Sequence, residues 1–394
     1  MTRDERPLAS PAADAGRIEA LDILRGFALL GMLIVHFHDH TVETSGFEDT
    51  VRTFVWRLVE SKSHGTFALL FGAGFAIQLR RATERGGPFV AMYLRRLAAL
   101  AAFGFAAHAL FGFNVLLGYA VWAVPLLLIR NWPTRALLLT AALSTMSVFS
   151  FELTRDWYLR WTAGPAAVAA AAGVRTATAS AVVGALQAAQ AHGSYGELVR
   201  ARLRHMAWFH EQSFFFMPNA TLPLFIAGLL LLRHRVFENA RAHGRLLAAL
   251  AIGGVISWAA DDWLLPASLE SVGLLRDQWL MFAYVSAALY LLASPTLLRR
   301  LSVVGRAGRM ALTNYLMQIA ALDVLFSAYG AGLGPIRSTV AFAAAIAAFA
   351  LQTAISTAWL ARFRYGPAEW LWRSITYKRF QPMRRGIGAS VSAA

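Results

Sequence analysis

The sequence predicts an all-α, polytopic integral membrane protein with about ten transmembrane helices and both termini in the cytoplasm. Hydrophobic residues make up 57% of the 394 residues and charged residues only 15%, whereas a soluble domain is about 25% charged. The mean hydropathy is +0.49. Apolar runs long enough to cross a bilayer recur along the chain, and basic residues separate them.

Ten apolar runs of roughly 17–25 residues are the candidate spans. The second and ninth runs are marginal, because they contain Gly, Ser, Asn or Gln. The runs lie near residues 20–38, 64–80, 95–112, 114–130, 135–152, 210–232, 245–265, 278–297, 310–328 and 339–361.

The short connections between these runs predict the topology. The connections on the opposite side are short or acidic, and one of them carries the isolated Arg337. Basic loops stay in the cytoplasm, so both termini are predicted there. The arginines of the cytoplasmic connections are at positions 80, 81, 85, 95, 96, 130, 135, 233, 235, 241, 245, 299, 300, 306 and 309.

The chain divides into five predicted segments. Within the long loop, an Ala-rich run at 165–190 is diluted by Thr, Ser and Arg175. It predicts two short helices on the membrane surface and not a span. The segments are a disordered cytoplasmic tail at 1–19, an N-terminal transmembrane half at 20–152, an extracytoplasmic long loop at 153–205, a C-terminal transmembrane domain at 206–377 and a basic cytoplasmic tail at 378–394.

Charge and cysteine content exclude several function classes. The formal net charge is +15, but the basic residues punctuate the apolar runs and form no single patch. This pattern predicts contact with the lipid bilayer and not with nucleic acid. The chain has no cysteine, which excludes disulfides, thiolate metal sites and a cysteine nucleophile.

The first apolar run, within residues 21–40, is the predicted wall of an active site. Ionisable groups are costly in hydrocarbon and usually mark function, and this run carries Arg25 at one end and His36 at the other. Eleven residues of helix separate them by about 16 Å. We interpret His36 as a general base or, alternatively, as an interfacial histidine. His40 is predicted to share a helix face with His36, and we expect it to contact substrate. A zinc site here would lack a clear fourth ligand, so we expect no metal.

The opposite end of that run is the predicted binding site for the cofactor. Asp22 and Arg25 are three residues apart and form either a structural ion pair or a site where Arg25 binds a CoA phosphate. The arginines at 80, 81, 95 and 96 lie on the same side and would either assist or contact lipid headgroups.

Four further residues are candidates with two interpretations each. Lys62 is either an exposed loop residue or a group that orients substrate. Gly72 and Gly74 either allow close helix packing or leave room for an acyl-pantetheine chain. Asn314, with Gln318 one turn later, either bonds between helices or lines the acyl channel.

Several motifs resemble those of the YeiB-like family of bacterial membrane proteins. LDILRGFALLGML, TFALLFGAGFAIQLRR after Lys62, and YLRRLAALAAFGFAAHAL resemble its N-terminal half. GRMALTNYLMQ and WLARFRYGPAEWLWRSITY resemble its C-terminal domain of unknown function 418. The family in turn resembles, more distantly, the type-3 acyltransferases and lysosomal heparan-glucosaminide N-acetyltransferase.

The resemblance implies a ten-helix fold that carries an acyl group from cytoplasmic acyl-CoA to an acceptor outside. In type-3 acyltransferases an arginine precedes the proposed catalytic histidine by eleven positions, as Arg25 precedes His36 here. This chain departs from the YeiB-like pattern at His36, where most members have asparagine, and at Asn114, where an acid is usual.

We therefore predict a multi-pass protein of the bacterial inner membrane that is a transmembrane acyltransferase. It would move an acyl group, with acetyl from acetyl-CoA expected, to an exported glycan or small-molecule acceptor. The interpretation requires a channel between Arg25 and His36. The alternatives are a transporter or exporter of a small solute, and a membrane scaffold without chemistry.

Overall fold

The computed structural model describes residues 17–42, 45–86, 88–213, 217–264 and 273–385, and most of these residues are helical. The sixteen helices in these ranges are α1 (Glu19–His38), α2 (Phe47–Leu58), α3 (Glu60–Arg85), α4 (Phe89–Phe111), α5 (Leu116–Trp122), α6 (Val124–Ile129), α7 (Thr134–Ala163), α8 (Pro165–His192), α9 (Tyr195–Ser213), α10 (Met217–Arg233), α11 (Gly244–Leu264), α12 (Gly273–Leu292), α13 (Pro295–Arg309), α14 (Ala311–Phe326), α15 (Ser338–Arg362) and α16 (Pro367–Tyr377).

Helix α1 lies at the centre of the bundle. It contacts α3 from the N-terminal half and α13, α14 and α15 from the C-terminal half. Its first turns join an apolar cluster with α3 and α10, while Leu29 to Phe37 belong to a second cluster with α14 and α15. The predicted halves therefore form one bundle around a shared helix.

Glycines allow the central helices to approach closely. A methyl group added at Gly308 of α13 would overlap the main-chain oxygen of Asp22 on α1, and one added at Gly26 would overlap Val304. The contact between α3 and α10 is built similarly, with Gly72 against Phe225 and Gly228 against Leu69. Small residues at these crossings bring the backbones together, as is typical of helix packing in membranes.

Helix covers most of each of the ten predicted apolar runs, and among the described residues four helices are long and apolar enough to cross a membrane on their own. These are α1, α4, α8 and α15, and the pair formed by α12 and α13 makes a fifth if it counts as one bent span. The all-helical class is confirmed. The number of about ten spans and the side of each terminus stay predictions.

In three places the structure divides the chain differently from the predicted runs. The run at 114–130 breaks at Ala123 into α5 and α6. The run at 278–297 ends at Leu292, because Pro295 begins α13, which turns by 119° from α12. The Ala-rich run at 165–190 forms the single helix α8 and not two short ones, and every residue of α8 is exposed or half-buried.

The predicted terminal tails fall mostly outside the described residues. Of the tail at 1–19, the structure describes residues 17–19, and Glu19 already begins α1. Of the tail at 378–394, it describes residues 378–385.

The α3–α10 contact yields a stability prediction. Gly228→Ala places a methyl group against the Leu69 main chain, and overpacking of this kind costs about 1–3 kcal/mol. We expect a lower melting temperature for the purified protein. Gly173→Ala in α8 is the matched control, since no described atom lies within 4 Å of the added methyl and Ala favours helix by about 1 kcal/mol over Gly. Equal melting temperatures for the two variants would contradict the close contact.

Candidate functional site

Two aromatic groups face His36 near the C-terminal end of α1. The ring of His64 on α3 lies 6.3 Å from that of His36, and the ring of Tyr315 on α14 lies 5.9 Å from it, measured between ring centres. His36 is half-buried, and its Nδ1 is buried without a hydrogen-bond partner among the described residues. We call His36, His64 and Tyr315 the histidine end of the site.

Neighbouring helices hold His64 in place. Its Nδ1 lies 3.4 Å from the Glu60 carbonyl one turn earlier on α3. The hydroxyl of Tyr119 on α5 donates to the His64 carbonyl at 2.9 Å. Helices α1, α3, α5 and α14 therefore converge on the histidine end, and a polar ligand placed there would be surrounded by protein.

His40 does not share a helix face with His36, contrary to the prediction, because α1 ends at His38. Its ring instead stacks on Phe326 at 4.0 Å. Burial lowers the pKa of His40, and the nearby Asp323 opposes that shift. In the described part of the chain, no three His, Cys, Asp or Glu side chains are grouped to hold a metal ion.

Lys62 is not an exposed loop residue. It lies in the first turn of α3, only 2% of its side chain is exposed, and its Nζ pairs with Asp277 of α12 at 2.6 Å. A buried ammonium needs such a partner. Lys62 therefore joins α3 to α12, and its role in orienting substrate stays a prediction.

The opposite end of α1 carries a cluster of arginines. Asp22 is buried and accepts hydrogen bonds from Arg25 at 3.0 Å and Arg17 at 2.6 Å. The predicted Asp22–Arg25 pair is thus present. Arg25 keeps 27% of its side chain accessible, and its guanidinium faces Gly74 of α3, where an added methyl would lie 3.8 Å away. Gly74 thus leaves space beside Arg25.

Two more arginines reach Arg25 from other helices. Arg96 of α4 and Arg373 of α16 lie close enough to Arg25 to repel it electrostatically. Arg96 stacks on Trp372 at 3.4 Å, and Arg373 stacks on Tyr365 at 4.7 Å. We call Arg25, Arg96 and Arg373 the arginine end of the site; their charges exceed that of Asp22, so the cluster favours a bound anion.

Helix α16 packs against α4 at this end of the site. The Trp372 indole donates to the Arg96 carbonyl at 2.8 Å, and the Trp370 indole donates to the Gln381 carbonyl at 2.7 Å. Both indole N–H groups therefore donate within the protein.

Glu369 of α16 reaches the start of α14. It accepts hydrogen bonds from the main-chain N–H groups of Leu312 and Thr313, at 2.6 and 3.1 Å, and from the Thr313 hydroxyl. It thereby caps the N-terminus of α14. Burial raises the pKa of Glu369, and these hydrogen bonds oppose the shift.

A half-buried stripe on α3 connects the two ends. It consists of residues that repeat at intervals of three and four on one helix face, while most residues of the other faces are buried. Eighteen residues of helix span about 27 Å, which is close to the thickness of a bilayer core. On α1, the side chains of Leu29 and Met32 are fully buried between the two ends. The stripe is Glu60, His64, Phe67, Phe71, Gly74 and Gln78.

Two residues predicted to bind cofactor serve helix packing. The space at Gly72 is filled by the main chain of α10 at Phe225, so it offers no room for an acyl chain. Asn314 donates to the Ala307 carbonyl at 2.9 Å and to the Ser356 hydroxyl at 3.0 Å, and its carbonyl accepts from Gln352. Of the two interpretations of Asn314, the structure supports hydrogen bonding between helices.

Comparison with known proteins gives two family matches. Residues 231–379 match the family described as "Protein of unknown function (DUF418)". Residues 17–168 match the family described as "Heparan-alpha-glucosaminide N-acetyltransferase, catalytic". No solved structure matches the chain.

Three curated proteins are similar, and each is named as uncharacterised. YxaH of Bacillus subtilis is 29% identical over 95% of this chain and 98% of its own length. A 39.9 kDa protein from the amylase 3′ region of Bacillus acidopullulyticus is 27% identical over 95% and 97%. YeiB of Escherichia coli is 40% identical over 19% of each chain. The chain is thus similar to YeiB and YxaH, and its two matched segments resemble a family of unknown function and an acetyltransferase catalytic family.

Both matched segments of the chain contribute to each end of the site. The first segment supplies Arg25, His36 and His64, and the second supplies Tyr315 and Arg373. The sequence analysis did not assign His64, Tyr315 or Arg373 to this site. Tyr315 lies inside the quoted GRMALTNYLMQ motif, so the motif was a signal, but its distance along the chain from His36 hid the contact.

The Lys62–Asp277 pair yields a second stability prediction. Lys62→Met leaves the Asp277 carboxylate without its lysine, and breaking a buried pair costs about 3–5 kcal/mol. We expect a marked fall in melting temperature that the double variant Lys62→Met/Asp277→Leu largely reverses. Lys378→Met, at the other lysine of the chain, is exposed and should change little. A double variant no more stable than Lys62→Met would contradict the pairing.

Proposed function

We propose that this protein transfers an acyl group, acetyl in the first instance, across the bacterial inner membrane. The donor is acyl-CoA at the arginine end, and the acceptor is a glycan or small molecule at the histidine end. One observation carries the proposal: the two ends of α1 present an arginine cluster and an imidazole with an unpartnered nitrogen among the described residues. The match of residues 17–168 to an acetyltransferase family supports it.

His36 is the general base in this proposal. Its neutral imidazole takes the proton from an acceptor hydroxyl or amine while that oxygen or nitrogen attacks the thioester carbonyl. The carbon–sulfur bond then breaks, and the CoA sulfur leaves with the proton that His36 holds. The products are an acyl ester or amide and CoA thiol, and His36 returns to its neutral form.

The arginine end is the proposed donor site. CoA carries several phosphate charges, and planar guanidinium groups bind phosphate through paired N–H donors. Arg25, Arg96 and Arg373 provide such donors, and Gly74 leaves space beside Arg25. The acyl-pantetheine arm would then lie along the half-buried stripe of α3 toward His36. This arrangement places the arginine end in the cytoplasm, in agreement with the positive-inside prediction.

Release of CoA thiol tests the proposed activity. The purified protein in lipid nanodiscs would be given acetyl-CoA with glucosamine as a probe acceptor, and a thiol reagent would follow the reaction. Since the chain contains no cysteine, every new thiol is CoA. Loss of a general base typically costs about 100-fold to 10,000-fold in rate, so we expect a loss of this size in kcat for His36→Ala.

A matched histidine variant controls this experiment. His192→Ala removes an exposed imidazole at the end of α8 and should leave the rate unchanged. A folded His36→Ala protein with full activity would refute the role of His36. Accumulation of a solute in proteoliposomes without thiol release would favour a transporter instead.

The donor site gives a separate prediction. Arg373→Gln removes a charge-assisted hydrogen bond worth about 1.5–3 kcal/mol, so the KM for acetyl-CoA should rise about 10-fold to 100-fold while kcat changes little. Arg300→Gln on the exposed surface of α13 is the control. An unchanged KM for Arg373→Gln would remove α16 from the donor site.

A further inference from the structure

We infer that Tyr315 is a second catalytic residue of the histidine end, and that its hydroxyl stabilises the oxyanion formed during acyl transfer. The inference rests on the proposed function. It assigns a chemical task to a residue of the C-terminal segment, which matches a family of unknown function.

The state of the Tyr315 hydroxyl is the first observation. Tyr315 is 2% exposed, and among the described residues no acceptor takes a hydrogen bond from its hydroxyl, although the Val115 main chain lies close enough to interact with it. An O–H group buried without an acceptor is destabilising, and buried polar groups in folded proteins are nearly always bonded. A partner that arrives with the substrate would remove this cost when the site is occupied.

The position of the hydroxyl is the second observation. The Tyr315 ring lies 5.9 Å from the His36 ring, and its hydroxyl lies beside the backbone of Val115. Val115 precedes α5 and is four residues before Tyr119, whose own hydroxyl reaches the main chain of His64. The Tyr315 hydroxyl therefore lies in the space that α1, α3, α5 and α14 enclose.

Rigid support of Tyr315 is the third observation. Its neighbour Asn314 bonds to the Ala307 carbonyl and to Ser356 of α15, and Glu369 caps the first turn of α14. An oxyanion donor contributes most when it is held in position before the reaction. The hydrogen bonds of α14 supply this support from two sides of the helix.

The chemistry requires a donor of this kind. When the acceptor attacks the thioester, the carbonyl carbon becomes tetrahedral and its oxygen takes a full negative charge. The Tyr315 O–H donates a hydrogen bond to that oxygen and keeps its proton throughout. When the carbon–sulfur bond breaks, the oxygen returns to a carbonyl, and His36 passes its proton to the departing sulfur.

Tyr119 is the nearest rival for this role, but its hydroxyl is already engaged. It donates to the His64 carbonyl at 2.9 Å, and a donor can serve only one strong acceptor at a time. Its ring also packs against Phe71 and Phe225. Tyr119 therefore positions His64, whereas Tyr315 is available to substrate.

The test compares two tyrosine variants in the nanodisc assay with acetyl-CoA and glucosamine. Tyr315→Phe removes the hydroxyl and keeps the ring. Removal of one oxyanion donor typically lowers kcat about 100-fold to 1,000-fold, and we expect a loss of about 100-fold with little change in the KM for acetyl-CoA. The melting temperature should stay within a few degrees of the unsubstituted protein, since the lost hydroxyl has no partner in the described part of the chain.

Tyr93→Phe is the matched control. Tyr93 on α4 is 1% exposed, and its hydroxyl also has no partner within the described ranges, but its ring packs on Phe75 and Phe89, away from His36. It should retain full kcat. If the unsubstituted protein releases thiol and Tyr315→Phe is as active as Tyr93→Phe, the inference is wrong and the proposed function stands. If the unsubstituted protein releases no thiol, both the proposed function and the catalytic role of Tyr315 are wrong.

Discussion

The close contact between α1 and α13 fixes the arrangement on which the site depends. Gly308 lies directly against the Asp22 main chain, so no side chain larger than hydrogen fits between the two helices. One face of α1 therefore packs against the C-terminal half of the chain. Arg25 and His36 are eleven residues apart, which is close to three helical turns, so both face α3 from the remaining side.

Polar groups inside the bundle are satisfied by side chains from distant parts of the sequence. Glu369 caps α14, Lys62 pairs with Asp277, and Arg202 of α9 pairs with Asp323 at the end of α14. An unpaired charge inside an apolar bundle is costly, and each of these charged side chains has a protein partner. These contacts tie the N-terminal and C-terminal segments together, which explains why both segments contribute to each end of the site.

The two ends of α1 differ in a way that suits transfer between two compartments. The arginine end has more positive than negative groups and accessible surface at Arg25, which favours a charged donor. The histidine end brings two imidazoles and the Tyr315 ring together, which suits proton transfer. Between the two ends, Phe67 and Phe71 of α3 are half-buried, and Leu29 and Met32 of α1 are fully buried.

The sequence by itself determined the helical class, the positions of most helices and the pairing of Asp22 with Arg25, because hydropathy and helical spacing are local properties. Only the tertiary structure decided the partners of Lys62 and Glu369 and the approach of Arg373 to Arg25. Those partners are tens to hundreds of residues away, and local spacing carries no information about them. The meeting of Tyr315 with His36 is of the same kind, since it follows from how α14 packs beside α1.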